Sequence, residues 1–202
     1  MTPPSSWPDA AVPIILDASA VINLNGSGAA TEILSALQRD FIVAQDVYEE
    51  LKRGARNGRR DFEALENLIG QDVVRRQDIS AVGIDLFEFL TVGPSAMTLD
   101  DGEAATIALA FELSGVAVID EDKGRRLAQQ TAAAVPLLSS VELFCNPIVE
   151  RALASNLADA VFCALQQSRM QVLSSHHAWI LELLGPERAS LCRSLPRSVR
   201  QP

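Results

Sequence analysis

The chain has 202 residues, of which 48% are hydrophobic and 21% are charged, and its formal net charge is −9. This length allows one substantial core with an appendage, and the composition excludes a disordered chain. The negative charge excludes a general nucleic-acid coat protein, because nonspecific binding depends on Lys and Arg that neutralise phosphates. A nuclease is compatible with it, because carboxylates that gather around Mg²⁺ contribute negative charge themselves.

Cysteine content and hydropathy indicate the compartment. Cys145, Cys163 and Cys192 are odd in number and widely spaced, which predicts neither a disulfide framework nor a zinc site. The N-terminal segment lacks the basic start and apolar run of a signal peptide, and no stretch reaches the ~18 apolar residues of a membrane span. We therefore expect a cytoplasmic protein with no membrane association.

The first strand determines where a site is to be sought. After a Pro-rich, irregular lead-in over residues 1–12, an apolar run predicts a buried parallel strand at about 13–17. Asp17 stands at its carboxyl end, the edge at which open α/β sheets carry their ligands. Helical spacing follows near 18–24 and again at 29–37.

A second strand, 41–44, leads into a helix that carries another acid. Asp46 and Glu49 have the spacing of a capping box, which predicts Asp46 as the N-cap. Glu50 is left without such a role and lies beside Leu51, near the expected buried side of the helix. An unpaired carboxylate is costly there, and a metal ion would relieve that cost.

The segment after this helix is rich in arginine and glycine. It has two interpretations: a solvated turn whose charges pair with nearby acids, or a rim that follows the phosphates of a nucleic acid. A helix at about 60–69, a weaker strand at 72–75 and a helix at 81–90 come next.

Two further acidic stretches each precede or open a helix. In Leu99-Asp100-Asp101-Gly102-Glu103-Ala104 the spacing of Asp100 and Glu103 fits a capping box, but such a helix can also place an acid at a strand's carboxyl end. The strand 116–119 ends in Asp120-Glu121-Asp122-Lys123-Gly124-Arg125-Arg126, which fits a metal site with phosphate ligands or a cluster at a helix N-cap. A fifth strand at 134–138 and a short helix at 141–144 follow.

From residue 147 the sequence is helical in pattern. Runs near 148–167, 172–184 and 186–191 predict a helical hairpin that packs on the parent domain or on a partner's copy. His176 and His177 lie in this part, and we expect them to be ordinary, partly exposed histidines.

Three motifs resemble those of PIN-domain nucleases, and in particular of a VapC-like toxin branch. They are Val47-Tyr48-Glu49-Glu50-Leu51, Leu99-Asp100-Asp101-Gly102-Glu103-Ala104 and Asp122-Lys123-Gly124-Arg125. The resemblance implies a three-layer α/β/α fold with a mostly parallel sheet of about five strands. It covers residues 13–145, so 146–202 are expected to form a helical C-terminal extension.

The resemblance also implies which residues act. Its four acids fall on Asp17, Glu50, Glu103 and Asp122, which are the expected catalytic residues and metal ligands. Asp101 could replace or assist Glu103 as the third acid, and Asp120 is a further candidate metal ligand. The expected substrate contacts are Ser19, Arg53, Arg125 and Arg126.

The implied activity is endonucleolytic cleavage of RNA with Mg²⁺ or Mn²⁺. Hard divalent ions take oxygen ligands and retain waters, one of which attacks phosphorus. The implied biology is the toxin of a type II toxin-antitoxin pair, with RNA as substrate, a small antitoxin as partner and a homodimer as the assembly. The alternative is a PIN-like scaffold that binds RNA or protein without cleavage. A phosphotransfer enzyme with Asp17 as acceptor is disfavoured, because no second Asp follows two residues later.

Overall fold

The chain folds around one parallel sheet. The structure is a computed structural model and describes residues 7–9, 11–56, 58–95 and 97–201. Residues 1–6 and 10 of the predicted lead-in lie outside the described residues. The strands are β1 (Ile14–Leu16), β2 (Phe41–Ala44), β3 (Val74–Gln77), β4 (Val116–Val118) and β5 (Leu137–Leu138).

Strand order places a crevice beside β1. The order across the sheet is β3-β2-β1-β4-β5, and all four pairings are parallel. The chain thus runs outward from β1 to β3 and then resumes on the other side of β1 with β4. Ligands of open α/β sheets bind outside the carboxyl ends of the strands at such a switch point. The segments that follow β1 and β4 both begin there.

Helices cover the sheet and confirm the predicted three-layer architecture. They are α1 (Ala18–Gly26), α2 (Ala30–Leu37), α3 (Gln45–Ala55), α4 (Asp61–Gly70), α5 (Ala81–Thr91), α6 (Asp101–Glu112), α7 (Asp122–Thr131), α8 (Ser140–Phe144), α9 (Pro147–Leu153), α10 (Leu157–Gln167), α11 (His177–Ser190) and α12 (Arg197–Arg200).

Helix α6 has the longest continuous run of buried residues among the described helices. Its residues from Gly102 to Ala110 are all buried, and it packs on β1, β2 and β4. Most of these side chains are small, so the helix backbone comes close to the sheet. This close packing brings the first turn of α6 to the carboxyl edge of the strands, which is the position that the sequence predicted for its acids.

Two local predictions were wrong. Helix α3 begins at Gln45 directly after β2, so the N-cap is Ala44 and not Asp46. The Glu49 carboxylate accepts a hydrogen bond from Gln45 Nε2 at 3.1 Å, and no capping box forms at this helix. The predicted single helix over 148–167 is divided into α9 and α10, because Ala154 adopts a positive φ of 45° and a 3₁₀ turn follows.

The C-terminal helices pack on the parent domain. Helix α9 lies against α2, and α10 lies against α1. Ser168, just after α10, donates a hydrogen bond to the carbonyl oxygen of Ile22 at 2.9 Å. The boundary at residue 145 stays a prediction, but Val161 and Ile180 belong to the same hydrophobic core as the strands. Among the described helices, none has the length and apolar character that crossing a membrane requires.

Candidate active site

Asp17 lies at the end of β1 and caps the N-terminus of α1. Its Oδ2 accepts hydrogen bonds from the Ser19 hydroxyl at 2.8 Å and from the Ser19 backbone N–H at 3.3 Å. The residue is only 5% exposed. Burial raises the pKa of Asp17 to about 7, against the lowering effect of the Ser19 and Ala18 hydrogen bonds, and the charge of Asp100 raises it further.

Gly102 in the first turn of α6 is the point at which three carboxylates meet. A Cβ atom placed on Gly102 would lie 2.5 Å from Glu50 Oε2 and 3.7 Å from both Asp100 Oδ1 and Asp17 Oδ1. A side chain at this position would require the Glu50 carboxylate to move. The structure therefore brings the predicted residues Asp17 and Glu50 together from β1 and α3, around the backbone of α6.

Glu103 faces the same region from the next residue of α6. It is 5% exposed, and its Oε1 has no hydrogen-bond partner within the described part of the chain. Burial raises the pKa of Glu103 to about 8, and the charges of Asp100, Asp17 and Glu121 add to this, whereas Lys123 acts in the opposite direction. The effect of the Asp17 charge on the pKa of Glu103 places these carboxyl groups within electrostatic reach of each other.

Asp100 lies with Asp17, Glu50 and Glu103, and these four residues are called the acidic cluster below. The sequence had assigned Asp100 only a capping role. Its Oδ1 accepts a hydrogen bond from the Glu103 backbone N–H at 2.9 Å, so the capping prediction is confirmed in one direction. The same oxygen faces Gly102, and the charge of Asp100 raises the pKa of Asp17, Glu50 and Glu103. Its place in the acidic turn before Gly102 was the signal available in the sequence.

The acids after β4 have different surroundings. Asp120 is 4% exposed, and its two oxygens accept hydrogen bonds from the Ser140 N–H and hydroxyl and from Asn23 Nδ2. These bonds tie the end of β4 to α1 and α8. Burial nevertheless raises the pKa of Asp120. With both oxygens engaged, Asp120 has the contacts of a structural residue.

Asp122 is the first residue of α7 and lies in a cleft with residues of the C-terminal region. Gly124, two residues further on, contacts Glu103, and two helical residues are separated by about 200° around the axis. The side chain of Asp122 therefore points away from the Glu103 side of α7. Asp101 is exposed beside the cluster, where its charge raises the pKa of Glu50.

Of the four predicted substrate contacts, two are exposed and two make hydrogen bonds within the protein. Arg53 is exposed on α3, and its charge lowers the pKa of Glu50 against the larger effect of burial. Arg126 is exposed on α7. Arg125 Nη1 donates to the carbonyl oxygens of Ile119 and Leu138, both at 2.9 Å, and so joins the ends of β4 and β5. The Ser19 hydroxyl donates a hydrogen bond to the Asp17 carboxylate.

The chemistry of the cluster suits a hard divalent cation. All its donors are carboxylate oxygens, one of them is buried without a partner, and the acids repel each other electrostatically. In the conformation described, no three His, Cys, Asp or Glu side chains of residues 7–9, 11–56, 58–95 and 97–201 are arranged as a metal-binding group.

The fold and the cluster define an α/β protein with its acids gathered at the switch point of a parallel sheet. A family model described as a PIN domain matches residues 13–183, and the chain belongs to the PIN-domain family, a nuclease fold whose members are generally metal-dependent. The match extends past the predicted boundary at residue 145 and into α11. No curated protein and no solved structure shows a significant match to the chain.

Proposed function

We propose that this protein is an endoribonuclease that depends on Mg²⁺ or Mn²⁺. The observation that supports this proposal most is the meeting of Asp17, Glu50 and Asp100 around Gly102, with buried Glu103 as the next residue. Such a concentration of carboxylates at the carboxyl edge of a parallel sheet destabilises the protein unless protons or cations neutralise it.

The side chains of Asp17, Glu50 and Glu103 would hold the cation, with Asp100 beside them. Bound Mg²⁺ or Mn²⁺ makes a water molecule a better nucleophile at neutral pH and stabilises negative charge on phosphate oxygens. Ser19 fixes the orientation of Asp17 through its hydroxyl hydrogen bond of 2.8 Å. Glu103 has an unpartnered oxygen with which to orient the attacking water.

The hydrolysis joins the water oxygen to phosphorus and breaks one phosphorus–oxygen ester bond, and the leaving oxygen takes up a proton. Cationic side chains near the cluster offer contacts to the phosphates on either side of that bond. Arg53 and Arg59 act electrostatically on Glu50, and Lys123 acts on Glu103. Arg126 adds an exposed guanidinium on α7. Phosphate contacts of this kind position the strand without reading its sequence.

The proposal includes a toxin role with a small antitoxin and a homodimer. Support for protein partners comes from helix α5 and the loop after it. There Val82, Phe89, Val92 and Met97 are 64%, 65%, 76% and 70% exposed. Large exposed apolar side chains grouped in this way are typical of interaction surfaces. Induced expression without any partner should arrest growth, and unaffected growth would contradict the toxin role while leaving the nuclease proposal intact.

The decisive experiment compares RNA cleavage by the wild type and by Asp17→Asn. Single-stranded RNA and DNA of the same sequence are incubated with Mg²⁺, Mn²⁺ or EDTA. We expect the wild type to cut RNA only with a divalent ion, and Asp17→Asn to lose at least about a hundredfold in rate. Glu66→Gln, which removes an exposed acid on α4, is the matched control. Equal cleavage by wild type and Asp17→Asn, or none by either, would contradict the proposal.

The scaffold alternative has one observation in its favour. In the described conformation the carboxylates are not arranged as a metal-binding group. A scaffold would bind RNA or a protein partner equally well with and without the acids. Retained RNA binding by Asp17→Asn, together with the absence of cleavage by the wild type in Mg²⁺ and Mn²⁺, would favour this alternative.

A further inference from the structure

A cleft separates α7 from the C-terminal region. It has a volume of about 580 Å³, within the range of small-molecule sites. One wall is Asp122 at the start of α7, and the other is built from the segments that lead into α11 and α12 together with the first residue of α11. This second wall consists of Val172, Leu173, Ser174, Ser175, His177, Ser194 and Pro196.

This cleft adjoins the acidic cluster through a single helical turn. Gly124 of α7 contacts the Glu103 carboxyl group, whereas Asp122, on the other side of the same turn, faces the cleft. The contacts to the cluster and to the cleft are thus two residues apart along α7, so we infer that a nucleic-acid strand held at the cluster presents a neighbouring nucleotide to the cleft. The cleft is therefore placed to bind the nucleotide next to the scissile phosphate.

The chemistry of the lining excludes a phosphate as the group bound. Of the described residues that line the cleft, none is Lys or Arg, and Asp122 contributes a carboxylate. An anion would be repelled there. The lining instead combines serine hydroxyls with the apolar surfaces of Val172, Leu173 and Pro196, a mixture that suits a flat, partly polar ring.

His177 offers such a ring a surface for stacking. Its Nε2 lies 3.1 Å from the carbonyl oxygen of Val172, so this nitrogen carries the hydrogen and the imidazole orientation is fixed. Single-stranded RNA is recognised by bases that stack on side chains including histidine and form hydrogen bonds along their edges. The half-buried ring of His177 is placed for this contact.

We propose that the cleft is a subsite for one unpaired guanine, next to the scissile phosphate, with Asp122 as the residue that selects it. A carboxylate only accepts hydrogen bonds and does so with two oxygens side by side. Guanine presents two adjacent N–H donors, N1 and the N2 amino group, on its Watson–Crick edge. Adenine and cytosine present one amino donor beside an acceptor nitrogen, which the carboxylate repels. This inference rests on the proposed ribonuclease function for its substrate class.

The test uses the full chain without metal and nucleosides without phosphate. Guanosine, adenosine, cytidine and uridine are titrated into the wild type, Asp122→Asn and Glu182→Gln, with the amide signals of the cleft residues followed by NMR. We expect guanosine to bind at least about tenfold more tightly than adenosine or cytidine, as a bidentate contact discriminates. Asp122→Asn should lose this preference, and Glu182→Gln, an exposed acid on α11, should keep it.

Mapping of cut sites on a mixed-sequence RNA gives the second readout. Wild type should cut next to guanine, and Asp122→Asn should distribute its cuts over all four bases. Binding of guanosine no tighter than that of cytidine, or an equal loss of cleavage at every site in Asp122→Asn, would overturn the subsite. Selective guanosine binding by a protein that cuts no RNA would instead refute the nuclease proposal and leave the guanine cleft standing.

Discussion

Gly124 lies directly against the carboxyl group of Glu103. A Cβ atom at Gly124 would be 3.0 Å from Glu103 Cδ and closer still to Oε1, which is within the distance that real Cβ atoms avoid. The missing side chain at Gly124 of helix α7 thus leaves room for the buried Glu103 carboxylate. The same relationship holds between Gly102 on α6 and the Glu50 carboxylate on α3. Glycines from two helices therefore make room for the acids of the cluster.

The first prediction concerns Gly124→Ala. The added methyl group displaces the Glu103 carboxylate, so we expect RNA cleavage to fall at least about tenfold. The folded state should largely survive, because alanine favours a helix over glycine by about 1 kcal/mol, which offsets part of the clash. Gly70→Ala on α4 is the control, since a Cβ there meets no atom within 4 Å. Unchanged cleavage in Gly124→Ala would show that the Glu103 position is unimportant.

The second prediction concerns the pH dependence of stability without metal. Folding raises the pKa of Asp17 from 3.8 to about 7 and that of Glu103 from 4.5 to about 8. The native state therefore binds more protons than the unfolded state between about pH 4 and pH 8, and the free energy of unfolding falls as pH rises through this window. Asp17→Asn should flatten this slope and stabilise the protein at pH 8 by at least about 1.4 kcal/mol, the value of one pKa unit. Urea unfolding at pH 5 and pH 8 measures the effect, and a stability that rises with pH would contradict it.

The third prediction concerns divalent cations. Because a cation that binds the native state alone stabilises it, Mg²⁺ at a hundred times its Kd should add about 2.7 kcal/mol. The gain should be larger at pH 8 than at pH 5, since protons compete for the carboxylates of Asp17 and Glu103. Thermal unfolding with Mg²⁺, Mn²⁺ and EDTA measures this, and Asp17→Asn should lose most of the gain. An equal shift of Tm in wild type and Asp17→Asn would place the cation elsewhere.

The fourth prediction separates Asp120 from the cluster. Asp120→Asn leaves the donors of Ser140 and Asn23 partly without an acceptor, which should cost about 1–3 kcal/mol in the free energy of unfolding. The stabilisation by Mg²⁺ should remain. Asp159→Asn, which breaks an exposed ion pair with Arg188, should cost less than about 1 kcal/mol. Loss of the Mg²⁺ effect in Asp120→Asn would instead identify Asp120 as a ligand.

The fifth prediction distinguishes two neighbouring arginines. Arg125→Met removes the hydrogen bonds to Ile119 and Leu138 and should lower stability by about 1–3 kcal/mol. Arg126→Met, on the exposed side of α7, should leave stability within about 0.5 kcal/mol and weaken RNA binding instead. Chemical unfolding and RNA titration at two salt concentrations measure both. Equal stability of the two variants would contradict the structural role of Arg125.

The sequence alone was sufficient for the fold and for part of the site. Continuous apolar runs at 14–16, 41–44 and 116–118 indicated buried parallel strands, because such strands are covered on both faces. Asp17 and Glu103 could be placed at the sheet's carboxyl edge because each lies within three residues of an element boundary. Local patterns of this kind fix where the backbone of an acidic residue lies relative to the end of a strand or the start of a helix. They therefore predicted Asp17 and Glu103, the two most buried acids of the cluster.

Only the tertiary structure decided which of the remaining acids join them. Asp100 and Asp122 look alike in sequence, since each lies beside or at the first turn of a helix, yet one faces Gly102 and the other faces the C-terminal cleft. The orientation of a helix about its axis depends on contacts with segments far away in the chain, and a change of two residues turns a side chain through about 200°. The role of a carboxylate therefore follows from packing that no local pattern contains.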